Sequence, residues 1–162
     1  MDEAALEAVS TGKKVDGLEK MPSRFVPYEM QTTLVKVTSY EYKNLCGYLS
    51  NPFFGGSVYF NGLIPMLQLM EDMLDSLRFP QRSMERRTFD TEAPRVQPVT
   101  VEEADRERPV ATFKLRVLFR QNASWEGDLV WVDRQAAAQF RSVLELIGIL
   151  DSALGGLYEQ NG

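Results

Sequence analysis

Two stretches of this chain, residues 32–74 and 112–154, align without a gap at an offset of 80. Six of the 43 aligned positions are identical: Thr32/Thr112, Val37/Val117, Gly47/Gly127, Leu49/Leu129, Phe60/Phe140 and Leu74/Leu154. Similar pairs hold the same register, among them Lys36/Arg116, Leu63/Val143, Met66/Leu146, Leu67/Ile147 and Glu71/Asp151. Two unrelated amphipathic helices can mimic the helical part of such a match. They do not also align a glycine well upstream. An internal duplication constrains the fold strongly, because whatever one half builds the other half repeats.

Each half has the pattern of three strands and a helix. In the second half Phe113, Leu115, Val117 and Phe119 alternate with Lys114, Arg116, Leu118 and Arg120, the period of a half-buried strand. Gln121-Asn122-Ala123-Ser124 is turn chemistry. Trp125, Gly127, Leu129 and Trp131 then alternate with Glu126, Asp128, Val130 and Val132. For both apolar sets to share a face, Phe119 is expected opposite Trp125 and Val117 opposite Gly127, which sets Arg116 across from Asp128. Opposite charges so placed contribute about 0.2–1 kcal/mol. Gly127 is expected to leave room for an aromatic neighbour. Ser142-Val143-Leu144-Glu145 is a capping box that opens a helix. Gly155-Gly156 is expected to end it. In the first half Asn61 or Gly62 is the cap, and Pro65 falls in the first turn, where proline is tolerated.

The expected fold is α+β: a tandem β-β-β-α repeat, with an antiparallel sheet and two helices packed on one face. One shared six-stranded sheet is favoured over two separate lobes, because each unit alone has a small core. Residues 1–28 read as a flexible leader and 29–79 as the first unit. Residues 80–109 read as a Pro- and charge-rich linker with an edge strand near Arg95–Val101, and 110–162 as the second unit. Residues 80–109 hold four of the eight prolines.

Composition narrows the chemistry. The chain of 162 residues has no His, which removes Ser-His-Asp and Cys-His nucleophile pairs and His-ligated zinc. Its one cysteine, Cys46, makes no internal disulfide and is expected on the outer face of a strand. Lys and Arg number 18 against 23 Asp and Glu, and each section of the chain is within two charges of neutral. A duplex binder concentrates cations instead. No membrane-span pattern and no signal-peptide core are present, so the expected compartment is the cytoplasm. No catalytic, metal or cofactor residues are expected. Glu71, Asp72 and Asp75 read as a solvated helix face. The Met66, Met70, Met73 stripe reads as core.

The expected role is a non-enzymatic interaction or regulatory module that binds a partner protein, or itself as a homodimer, through the sheet. Leu118, Val130, Val132, Tyr48 and Tyr40 are expected outward among charges, a mixed surface that suits a protein interface. The candidate contact residues are Arg116, Leu118, Arg120, Asn122, Val130 and Val132. The alternative is a nucleic-acid-binding accessory protein that uses the outer face of the second unit.

Three resemblances bear on these readings. Asn122-Ala123-Ser124-Trp125-Glu126-Gly127 and Arg82-Ser83-Met84-Glu85-Arg86 resemble the two signatures of PilZ domains, which bind cyclic di-GMP. That resemblance implies Arg82 and Arg86 on the phosphates, with Asn122, Ser124 and Gly127 opposite. The two tryptophans, Phe140 and the helix after them look like the three-strand-plus-helix domains of integrase arms and AP2-type factors. There Lys114, Arg116 and Arg120 would read DNA, although Glu126 and Asp128 share their face. Residues 119–127 and 140–147 are similar to a family of small cytoplasmic proteins from Firmicutes-type bacteria with no known activity.

Overall fold

The computed structural model describes residues 26–84, 87–89, 94–102, 107–121 and 123–161. A short helix α1 (Tyr28–Gln31) leads into β1 (Thr33–Ser39), β2 (Cys46–Asn51), β3 (Gly56–Asn61) and helix α2 (Leu63–Leu77). The two-residue strand β4 (Thr100–Val101) follows, within the expected edge segment. Then come β5 (Ala111–Phe119), β6 (Glu126–Trp131), β7 (Ala136–Phe140) and helix α3 (Val143–Asn161). All seven strands form one antiparallel sheet in the order β4-β3-β2-β1-β5-β6-β7. The six repeat strands share one sheet, and β4 adds a seventh at the edge.

The two units meet at β1 and β5. Thr33 faces Leu115, Val35 faces Phe113, and Leu34 faces Lys114 between them. Adding 80 to Thr33 and Val35 gives Phe113 and Leu115, so exchanging the units maps this junction onto itself. The Leu34–Lys114 pair lies on the pseudo-twofold. Registers inside the units agree as well. Val37 pairs with Gly47 and Val117 with Gly127, and each pairing slips by one residue at the next step. A side chain at Gly47 would run into the carbonyl oxygen of Lys36, and one at Gly127 into that of Arg116. The two glycines are therefore places of close backbone approach, rather than space for an aromatic ring.

Alternate residues of every repeat strand point to one face, where both helices pack. Val35, Val37, Leu49, Val58 and Phe60 join Met66, Met70 and Met73 of α2 in a single core with Phe113, Leu115, Leu129, Phe140, Leu146, Leu150 and Leu154. The methionine stripe is core, as its spacing requires. Helix α2 starts at Gly62, whose φ of 112° is open to glycine alone, with Pro65 in the first turn. Helix α3 starts as the capping box predicts: Glu145 N–H donates to Ser142 Oγ at 3.1 Å, and the glutamate accepts from Arg141 N–H at 2.8 Å.

Three local expectations need correction. Gly155 and Gly156 do not end α3, which continues to Asn161. Two helical glycines cost about 1 kcal/mol each. Leu154 is buried in the core on one side of them and Leu157 packs against it on the other, so tertiary contact carries the helix through. Phe119 faces Glu126 and not Trp125, because the slip after Val117 shifts the register by one. It is half exposed as a result. Arg120, next in line, is turned inward.

Candidate interaction surface

The outer face of the second unit carries ordered rows. Lys114 lies beside Val130, and Val130 beside Ala137. Arg116 lies beside Asp128, and Asp128 beside Gln139. The expected Arg116–Asp128 contact is present, with Arg116 Nη2 2.8 Å from Asp128 Oδ2. Leu118 and Val130 are half buried within this charged frame, and Lys114 is exposed. Val132 does not belong to the face: β6 stops at Trp131, and Val132 opens the 3₁₀ turn Val132–Arg134. Arg134 of that turn sits over the Trp131 ring at 5.0 Å. Asn122 lies outside the described residues.

Arg120 is the largest departure from the sequence reading. Its alternation places it outward with Arg116, yet it is only 3% exposed. Nη1 of Arg120 lies 2.8 Å from Asp75 and 3.4 Å from Glu71, both on α2, and Nε donates to the Pro80 carbonyl at 2.7 Å. Glu71 also accepts from the Trp125 indole. Arg82 takes the other oxygen of Asp75 at 2.6 Å. So Glu71 and Asp75 are not a solvated helix face. They neutralise a buried guanidinium, which desolvation alone would make costly. Only the three-dimensional packing brings Arg120 to α2; the spacing of Glu71 and Asp75, four apart on one helical face, was the available signal.

The equivalent position in the first unit does the same job with other chemistry. Tyr40 and Asp151 are the offset-80 counterparts of Arg120 and Glu71. The Tyr40 hydroxyl donates to Asp151 of α3 at 2.7 Å, and Lys43 adds an ion pair to the same carboxylate at 3.0 Å. The Tyr158 hydroxyl accepts from Tyr40 N–H at 2.9 Å. Burial and the neighbouring Asp151 push the Tyr40 hydroxyl up to about 12. The hydrogen bonds from Tyr40 and Lys43 hold Asp151 below its ordinary range. Each unit's β1–β2 or β5–β6 connection is thus tied to the other unit's helix, which locks the halves together twice.

Tyr48 is not outward in the sense expected. It points to the outer face, but Glu107, on the segment that enters β5, lies against it, its N–H donating to the Tyr48 hydroxyl at 3.4 Å. Only 6% of it remains exposed. Cys46 lies on the outer side, beside Asn61 and Asn44. Arg82 and Ser124 line one small cleft of about 40 Å³ with Glu71 and Arg120. Arg82 is held by Asp75 there, while Arg86 and Asn122 of the PilZ-like pattern lie outside the described residues. Of the three cations that a DNA-reading face requires, Arg120 is buried and Arg116 is paired with Asp128, which leaves Lys114.

No helix among the described residues is long and apolar enough to cross a membrane. Comparison with protein-family models, curated proteins and solved structures found no match to this chain.

Proposed function

We propose that this protein is a non-catalytic interaction or regulatory module that engages a partner protein through the sheet of its second unit. The supporting observation is the unequal cover of the two units. The first unit's outer face is crossed by the chain at Glu107, and its edge is closed by β4. In the second unit Leu118, Val130 and Lys114 have no such strap among the described residues, and β7 is an end strand. A part-apolar patch framed by paired charges is the composition of a protein interface. Its near-zero net charge suits a protein partner better than phosphate.

A photo-crosslinking residue placed at Val130, and at Ser76 of α2 as a control, tests this reading in host extract. Protein adducts at position 130 and not at 76 are expected. A chain that gives no adduct at 130 and stays monomeric by light scattering overturns it. Low-salt retardation of duplex DNA that Lys114→Ala abolishes would overturn it in favour of nucleic acid.

A further inference from the structure

The two ends of the sheet are built differently. At the first, residues Arg95–Val101 close the gap between helix and edge strand. Arg95 pairs with Asp72 of α2 at 2.9 Å, and Val96 N–H donates to Gln68 at 3.4 Å. Val96 packs on the core, and Thr100 and Val101 pair with Val58 and Ser57. At the offset of 80, Gln68, Asp72 and Val58 become Gly148, Ser152 and Ala138. The features that hold a closing segment of this chain are missing from the second unit. In their place is a cleft of about 180 Å³ between β7 and α3, with Trp131, Ala138, Ile149 and Ala153 in its lining. No lining residue is charged. Trp131 also carries the one buried side-chain donor without a partner among the described residues.

Taking the open sheet of the second unit as the interaction side, we propose that β7 and this cleft receive an extended segment of a partner protein. The segment lies antiparallel to β7, as β4 lies on β3. It is uncharged where it meets the cleft, and a branched aliphatic side chain fills the space. Strand addition draws affinity from main-chain hydrogen bonds and specificity from alternate side chains. At the closed edge Tyr59 N–H donates outward to Val99. Its counterpart is Gln139, so the Gln139 N–H is a donor aimed at the incoming strand. The stretch Ala136–Gln139, exposed apart from the half-buried Ala138, carries no lysine, proline or bulge of the kind that protects an edge. A second copy pairing β7 with β7 would bring alanines and Gln139 to the cleft, and these do not fill it. A charged segment would be desolvated there without a partner.

The probe is a fluorescein-labelled peptide with the sequence of residues 96–101, the uncharged, valine-bearing part of the segment that closes the equivalent edge. Anisotropy titration of the full chain is expected to show saturable binding. Gln139→Pro deletes an outward N–H and keeps the bonds to β6, while Ala138→Leu fills the cleft from within. Each is expected to weaken binding at least about tenfold, with circular dichroism confirming the native fold. Absent binding, or binding untouched by both substitutions, overturns the proposal. A dimer that Gln139→Pro returns to monomer overturns it in favour of self-pairing. Adducts at position 130 alongside a failed titration remove the edge site alone; failure of both removes the interaction reading as well.

Discussion

Superimposed by their offset of 80, the two units share strand registers, the slip after Val37 and Val117, and a glycine pressed against a carbonyl at Gly47 and Gly127. Their outer rows differ. Lys36, Tyr48 and Tyr59 line up in the first unit, with the Tyr48 ring tilted against that of Tyr59 at 5.7 Å and its hydroxyl met by Glu107. Arg116, Asp128 and Gln139 line up in the second, a polar row with Arg116 and Asp128 paired. The shared part is backbone geometry, which both halves need to build one sheet. The divergent part is what each unit does with its remaining surface. The first uses it for internal closure by β4 and Glu107. The second leaves face and edge open among the described residues, and the proposed binding role rests on that difference.

The reciprocal ties between units offer the sharpest way to break this comparison. Arg120→Ala removes the buried cation that Glu71 and Asp75 share and leaves a void, and should lower stability by about 3 kcal/mol. Tyr40→Phe, at the equivalent place, removes one hydrogen bond and should cost about 1 kcal/mol. Urea unfolding of both variants measures the gap; equal losses would mean the two ties are the same device. Gly47→Ala and Gly127→Ala each force a methyl onto a carbonyl and should cost about 2 kcal/mol apiece. A large difference between them would show that the shared register is not equally strict in both halves.

Cover predicts a smaller contrast. Tyr48→Ala should cost about 1.5 kcal/mol, less than a full core truncation because its cover is a strap that can settle. Val130→Ala, on the open face, should cost about 0.5 kcal/mol or less. The finest test is pH. Tyr40 titrates near 12 in the fold against an ordinary value of 10.0. Its protonated form is favoured by folding, so its contribution is complete below pH 10 and is lost as pH rises from 10 to 12. Tyr40→Phe should flatten that alkaline limb of a thermal-melt profile.

Much of the fold was legible beforehand. Period-two alternation marked β5 and β6, the Ser142–Glu145 box placed the start of α3, and the small core of each unit alone favoured a shared sheet. The Arg116–Asp128 pair followed from alternation alone. Arg120 did not, because a single bulge reverses every assignment beyond it, and a bulge leaves no periodic signature. The same limit applies to Phe119. The continuation of α3 through Gly155-Gly156 was hidden for another reason, since local propensity favours an end there and distant packing overrules it.

The sequence by itself determined the periodic and local matters: two βββα units, their core stripes, the cap of α3 and the absence of histidine chemistry. These depend on residues a few positions apart. Only the tertiary structure decided which surfaces are covered. The path of the chain after α2 closes one edge with Arg95–Val101 and roofs Tyr48 at Glu107, and the fold of the whole sheet delivers Arg120 to α2. Such contacts join residues far apart in sequence, and no local pattern encodes which of two similar faces the returning chain will lie across.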